Sequence, residues 1–169
     1  MMQMLEAGGI PILTDDKRTA DEDNPKGYYE YDPVKRLHQD TSWLAQAAGK
    51  AVKVVSPLLT DLPSGYEYHI IVMHRNLAEV LNSQEQMLKR RGAPPGPDQS
   101  IMRQHLERSL NNTRQWLSKQ QHMQVLECHF ARLLEQPQIE IPIIADFLQF
   151  DLDQAAMKNV IQPSLYRQR

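Results

Sequence analysis

One cysteine, Cys128, stands in 169 residues. A lone thiol builds no internal disulfide framework and no cysteine metal cluster, which suits a reducing, cytoplasmic setting. Long apolar runs are missing too. No stretch approaches the roughly 20 residues of a membrane-spanning helix, and no secretory leader is recognisable. Excess charge of either sign is absent: Lys and Arg number 19, Asp and Glu 21, for a formal net charge of −2 and a pI near 6.3. That balance gives no electrostatic footprint for nucleic acid and confines any polyanion binding to a local cluster. The phosphate-loop pattern G-x-x-x-x-G-K-[ST] occurs nowhere, and neither repeats nor low-complexity tracts are present. A chain of one domain's length, 1–169, able to bury a core, is what these absences leave.

What is there is concentrated in His69 to Gln84, HIIVMHRNLAEVLNSQ. Ile70-Ile71-Val72-Met73 is the apolar run of a buried parallel strand. At His74-Arg75 the pattern turns into a helix. Asn76, with Glu79 three residues on, has the spacing of a capping box and marks the helix start. Open α/β sheets collect ligands at the carboxyl ends of strands, where the next helix begins, and Arg75 stands at such a place. Ser83, seven residues after Asn76, returns to the same helical face about 10 Å along the axis. Two readings fit that spacing. Arg75 and Ser83 grip one phosphate between them, or Arg75 pairs with a carboxylate and Ser83 is a surface residue.

Other segments follow in order. Met1 to Ala7 reads as a helix stopped by Gly8-Gly9. Asp15 to Glu30, DDKRTADEDNPKGYYE, is polar, turn-rich and loop-like. Glu30 is a candidate general base if burial raises its pKa; the alternative is a solvated or helix-capping carboxylate. Tyr28 and Tyr29 line an acceptor pocket or serve packing. Asp32 to Ala48 places Val34, Leu37, Trp43 and Leu44 on a helical period, with Pro33 in the first turn and Gly49 as stop. Ala51 to Ser56, AVKVVS, reads as a strand closed by Pro57. The ammonium of Lys53 within it needs water or an anion. Lys89 to Asp98 is a basic Pro/Gly-rich break, Gln99 to Gln121 a long helix, and His122 to Cys128 a third strand. Cys128 and His129 leave opposite faces of a strand, so they form no nucleophile–base pair, and Cys128 is core filler. A helix over Ile139 to Phe150 follows.

In this order the motifs resemble those of the PAPS-dependent sulfotransferases (PAPS, 3′-phosphoadenosine 5′-phosphosulfate), a family of the P-loop NTPase-like superfamily. The likeness is to a bacterial-type branch. It rests on R-N-x-x-E-V-x-x-S at Arg75–Ser83 and on V-K-x-x-x-P at Val52–Pro57 followed by Leu62-Pro63. N-P-x-G-Y-x-E at Asn24–Glu30, Phe147-Leu148 and P-S-L-x-R-x-R at Pro163–Arg169 extend it along the chain. It implies an α/β, three-layer P-loop NTPase-like fold with a mostly parallel sheet and strands near 51–56, 67–73 and 122–128. It also implies N-terminal truncation, because the family's first strand and phosphate loop have no counterpart here.

Carried over residue by residue, the resemblance makes Arg75 and Ser83 ligands of the 3′-phosphate and Lys53 the group that neutralises the leaving oxygen. Arg167 and Arg169 add charge-assisted bonds to the nucleotide's phosphate, and Glu30 lies toward the acceptor. No metal is implied. The sequence departs from the pattern at Val55, where cytosolic small-molecule members carry a catalytic His, and near Cys128-His129, where a Tyr and an acid are usual. The implied activity is sulfuryl transfer from PAPS to an acceptor hydroxyl or amine, impaired by the missing loop. The acceptor is a small molecule, glycan or peptide, with neither nucleic acid nor membrane as partner. A missing strand would leave an open sheet edge prone to self-association. A P-loop kinase-like small-molecule phosphotransferase and a non-catalytic interaction module on a decayed scaffold are the alternatives.

Overall fold

Two parallel strands form the centre of the chain, with helices on both faces. The computed structural model describes residues 1–162 apart from Asp16, Thr19, Glu22, Asp23, Pro25, Lys26 and Pro95. The elements in chain order begin with helix α1 (Met2–Ala7) and α2 (Leu44–Ala47). Strand β1 (Tyr68–His74), helices α3 (Leu77–Arg90) and α4 (Gln99–Leu117) and strand β2 (Met123–His129) follow. Helices α5 (Phe130–Glu135), α6 (Pro137–Leu148) and α7 (Gln154–Asn159) complete the described part.

β1 and β2 pair in parallel from Tyr68 opposite Met123 to His74 opposite His129. Parallel neighbours need a long crossover, and α3 and α4 supply it. Side-chain alternation then splits the sheet into two apolar faces. Tyr68, Ile70, Val72, Met123 and Val125 pack toward Leu117 of α4 and Leu59. Ile71, Met73, Leu126 and Cys128 pack toward Met4 and Leu5 of α1, Ile141 and Ile144 of α6 and Met157 of α7. Met157, Cys128 and Ile144 are almost fully shielded from water; Met157 and Ile144 each contribute roughly 1.5–3 kcal/mol on burial.

Helix ends follow their local chemistry. The Asn76 side chain accepts from the Ala78 N–H at 2.9 Å and starts α3. Asp98 does the same for α4 through Ser100 N–H at 2.8 Å. Glu79 in the first turn of α3 and Lys89 and Arg90 in its last turn suit the helix dipole. α1 stops at Gly8, and Gly9 takes φ +101°, a left-handed conformation open to glycine. Gly8 lies against α7 so closely that an added Cβ would sit 2.7 Å from Met157 Cγ.

Three expectations need correction. The helix over 32–48 is broken into a 3-10 turn at Asp32–Arg36 and the short α2. Asp40 is the cause: its carboxylate accepts from the Ser42 N–H at 2.9 Å and turns the backbone between the two pieces. Val34, Leu37, Trp43 and Leu44 are nonetheless all buried together, as their spacing required. The strand over 51–56 is absent. Ala51 makes a single parallel bridge to Ile12, and Ser56–Asp61 is a 3-10 turn begun by Pro57. Val52 and Val54 do point inward while Lys53 and Val55 are exposed, so the alternation is real. Among the described residues no strand lies alongside to form a ladder. Finally, the helix expected over 139–150 runs from Pro137 to Leu148 and is capped by Gln149, whose φ of 58° is left-handed. Among the described residues no helix is long and apolar enough to cross a membrane.

Candidate functional site

Because β1 and β2 are parallel and in register, their carboxyl ends lie side by side. The face toward α4 is apolar up to Val72 and Val125 and becomes polar at the next position of each strand, His74 and Glu127. His74 Nε2 and Glu127 Oε2 are hydrogen bonded. Arg114 of α4 donates from Nε to the other carboxylate oxygen at 3.1 Å. The His74 ring also stacks on His129, with centroids 5.0 Å apart and planes inclined by 29°. Burial pushes the Glu127 carboxyl up, yet the hydrogen bonds from His74 and Arg114 outweigh it and hold the group below the usual carboxylate range.

His74, Glu127 and Arg114 border a cavity of about 330 Å³ between the strand ends, α4 and the 3-10 turn at Ser56–Asp61. Its walls combine Leu59, Val72, Leu77, Leu110 and Leu117 with Ser56, His74, Arg75, Asn111, Arg114 and Glu127. Polar and charged side chains outnumber apolar ones in this lining, which suits a polar or charged ligand. Arg75 is the unbalanced charge in it. Its guanidinium carbon lies 4.8 Å from the centroid of the Phe130 ring, a cation–π contact. Among the described residues it has no carboxylate partner. Glu107, also on the wall, is taken by Arg103 at 2.9 Å.

No match is found for the chain among family models, curated proteins or solved structures.

The other residues singled out from the sequence are dispersed. Ser83 is exposed on α3 and is not among the residues lining the cavity that Arg75 borders. Lys53 is exposed, and its ammonium donates to the Tyr28 carbonyl at 2.9 Å. Glu30 borders a separate hollow of about 160 Å³ with Asp15, Lys17, Arg18, Asp32 and Lys35, and the two hollows share no lining residue. Arg18 Nη1 lies 3.1 Å and Lys35 Nζ 3.9 Å from its two carboxylate oxygens. That is the setting of an ion-pairing carboxylate, unlike the apolar pocket that tunes a general base. Tyr28 donates its hydroxyl to Asp21 and carries Arg18 over its ring at 3.4 Å, while Tyr29 donates to Glu6 at 2.9 Å. Arg167 and Arg169 lie outside the described residues.

Of the residues on this wall, Arg75 is marked by its neighbours in the sequence, whereas His74, Glu127 and Arg114 are not singled out there. A signal did exist for the first two: a polar residue on the apolar parity at the last positions of a strand. Nothing local marks Arg114, which joins them only through the fold. Cys128 and His129 are placed as their parity demands, the first buried and the second exposed. Burial pushes the Cys128 thiol up, away from reactivity.

Proposed function

We propose that the chain is a sulfotransferase-like protein that binds the 3′-phosphate of PAPS through Arg75 and serves sulfuryl transfer to an acceptor hydroxyl or amine. The observation that carries the reading is the Arg75 guanidinium. It follows a parallel strand at its carboxyl end, precedes an Asn-capped helix, borders a cavity and is unclaimed by any described carboxylate. Open α/β sheets bind ligands at such a position. A guanidinium suits a phosphate because it donates several hydrogen bonds in a fixed fork. The finer fold, a three-layer P-loop NTPase-like domain, belongs to the same proposal; parallel strands with helices on both faces support it.

In this reading the acceptor atom attacks sulfur, and the bond from sulfur to the 5′-phosphate oxygen breaks. Lys53 neutralises that leaving oxygen, and Glu30 takes the acceptor's proton. Each has first to leave a present partner, the Tyr28 carbonyl for Lys53 and Arg18 with Lys35 for Glu30. Slow turnover follows from that rearrangement. Ser83, off the cavity, serves only a phosphate that reaches along α3.

The test is a titration of adenosine 3′,5′-bisphosphate against the wild type and Arg75→Ala. Charge-assisted bonds of roughly 1.5–3 kcal/mol predict a loss of about tenfold to a hundredfold in affinity. Ser83→Ala is expected to cost less. Equal binding by Arg75→Ala removes Arg75 as the site of the 3′-phosphate.

A further inference from the structure

Glu127 is held by two groups that a bound anion would also want. His74 Nε2 and Arg114 Nε both lie on its carboxylate, and all three border the same cavity as Arg75. Only Nε of Arg114 is used by Glu127, so its terminal nitrogens remain for a second acceptor. The polar end of the cavity is therefore one carboxylate held by two N–H-bearing side chains, with the Arg75 guanidinium on the same wall but not on that carboxylate.

A phosphate or sulfate group arriving on Arg75 meets Glu127 as a like charge across a hollow of about 330 Å³. Arg75 is exposed and 36% of the Glu127 side chain faces solvent, so this repulsion is partly screened and is strongest at low salt. The one hydrogen bond by which Glu127 orients Arg114 is a smaller effect, because 61% of the Arg114 side chain faces solvent. Repulsion and competition therefore outweigh orientation.

We infer that Glu127 is the resident counter-anion of an oxyanion site, and that it sets the site's affinity for a phosphate- or sulfate-bearing ligand by competing for His74 and Arg114. This rests on reading Arg75 as a phosphate ligand and adds the regulation of that same site. Glu127 acts here through its neighbours and takes no part in bond making.

Calorimetric titrations of inorganic sulfate and of adenosine 3′,5′-bisphosphate into the full chain test it. Glu127→Gln keeps the shape and an acceptor oxygen and removes the charge. It should bind both ligands about tenfold more tightly, whereas Glu127→Asp stays near the wild type. Arg114→Gln should bind both several-fold more weakly, a reading that does not depend on the stability of the Glu127→Gln variant. Unchanged or weaker binding by Glu127→Gln overturns the inference, as does unchanged binding by Arg114→Gln. Failure of both ligands to bind any variant with a wild-type circular dichroism spectrum also overturns it. The Arg75→Ala arm separates the two assignments. If Arg75→Ala leaves nucleotide binding unaltered while Glu127→Gln strengthens it, the assignment of Arg75 as the phosphate ligand falls and the role of Glu127 stands.

Discussion

Gly8 shows how a residue without a side chain can fix the distance between two helices. α1 and α7 meet where its missing Cβ would otherwise stand, 2.7 Å from Met157 Cγ and 2.9 Å from its Sδ. The Asp153 N–H also donates to the Gly8 carbonyl at 3.1 Å, so the backbones are tied at that point. Met157 is wholly buried and has no solvent to retreat into. Gly8→Ala therefore forces overpacking, at a cost of about 1–3 kcal/mol. In a chain of 169 residues this corresponds to a melting temperature lower by roughly 2–4 °C for each kcal/mol, measurable by scanning calorimetry. An unaltered melting temperature would mean that Met157 repacks freely.

At the scale of elements, the switch from β1 to α3 carries both the site and much of the local order. Asn76 satisfies the Ala78 N–H, and its removal leaves that donor to water. Asn76→Ala should destabilise the chain by about 1 kcal/mol and loosen Arg75 beside it, read as lower helicity and weaker sulfate binding together. Elements whose pattern is local were legible beforehand: the apolar run of β1, the capped start of α3, the stripe of α4 and the glycine stop of α1. The two misread elements fail for different physical reasons. At 32–48 the apolar spacing was right, but one Asp–Ser hydrogen bond turned the backbone. At 51–56 the alternation was right, but a strand is a strand only beside another, and pairing is not written in the segment itself. The site divides likewise. Arg75 is announced by its own neighbours in the chain, whereas His74 meets Glu127 across 53 positions of sequence, a separation that no local pattern spans.

For the whole molecule, charge gives a pH dependence with a definite sign. Asp15 is held below its ordinary value first by a hydrogen bond from the Asp32 backbone, and Asp98 first by the Ser100 hydroxyl. Glu127 is held down by His74 and Arg114 against the effect of burial. A carboxyl lowered in the folded state is protonated first in the unfolded one, so its contribution is complete above the ordinary carboxylate range. It is lost as pH falls through that range, near 4, and below. Thermal melts should thus fall progressively below about pH 5. A stability that rises on acidification would contradict these hydrogen bonds. The alkaline limb has its own cause. Burial raises Cys128 and Tyr68, so the folded chain keeps protons that the unfolded chain releases, and stability declines once pH passes their ordinary values.

The parallel pairing of β1 with β2 also governs when the sheet can form. Tyr68 and Met123 stand opposite each other, 55 positions apart in the sequence (123 minus 68). Closing a loop of that length costs about 3.5 kcal/mol in chain entropy before any ladder bond returns it. α3 and α4, whose bonds are local, are under no such delay. The crossover is thus positioned to order early and the strands late, and the pocket at their ends can exist only once that slowest step is complete.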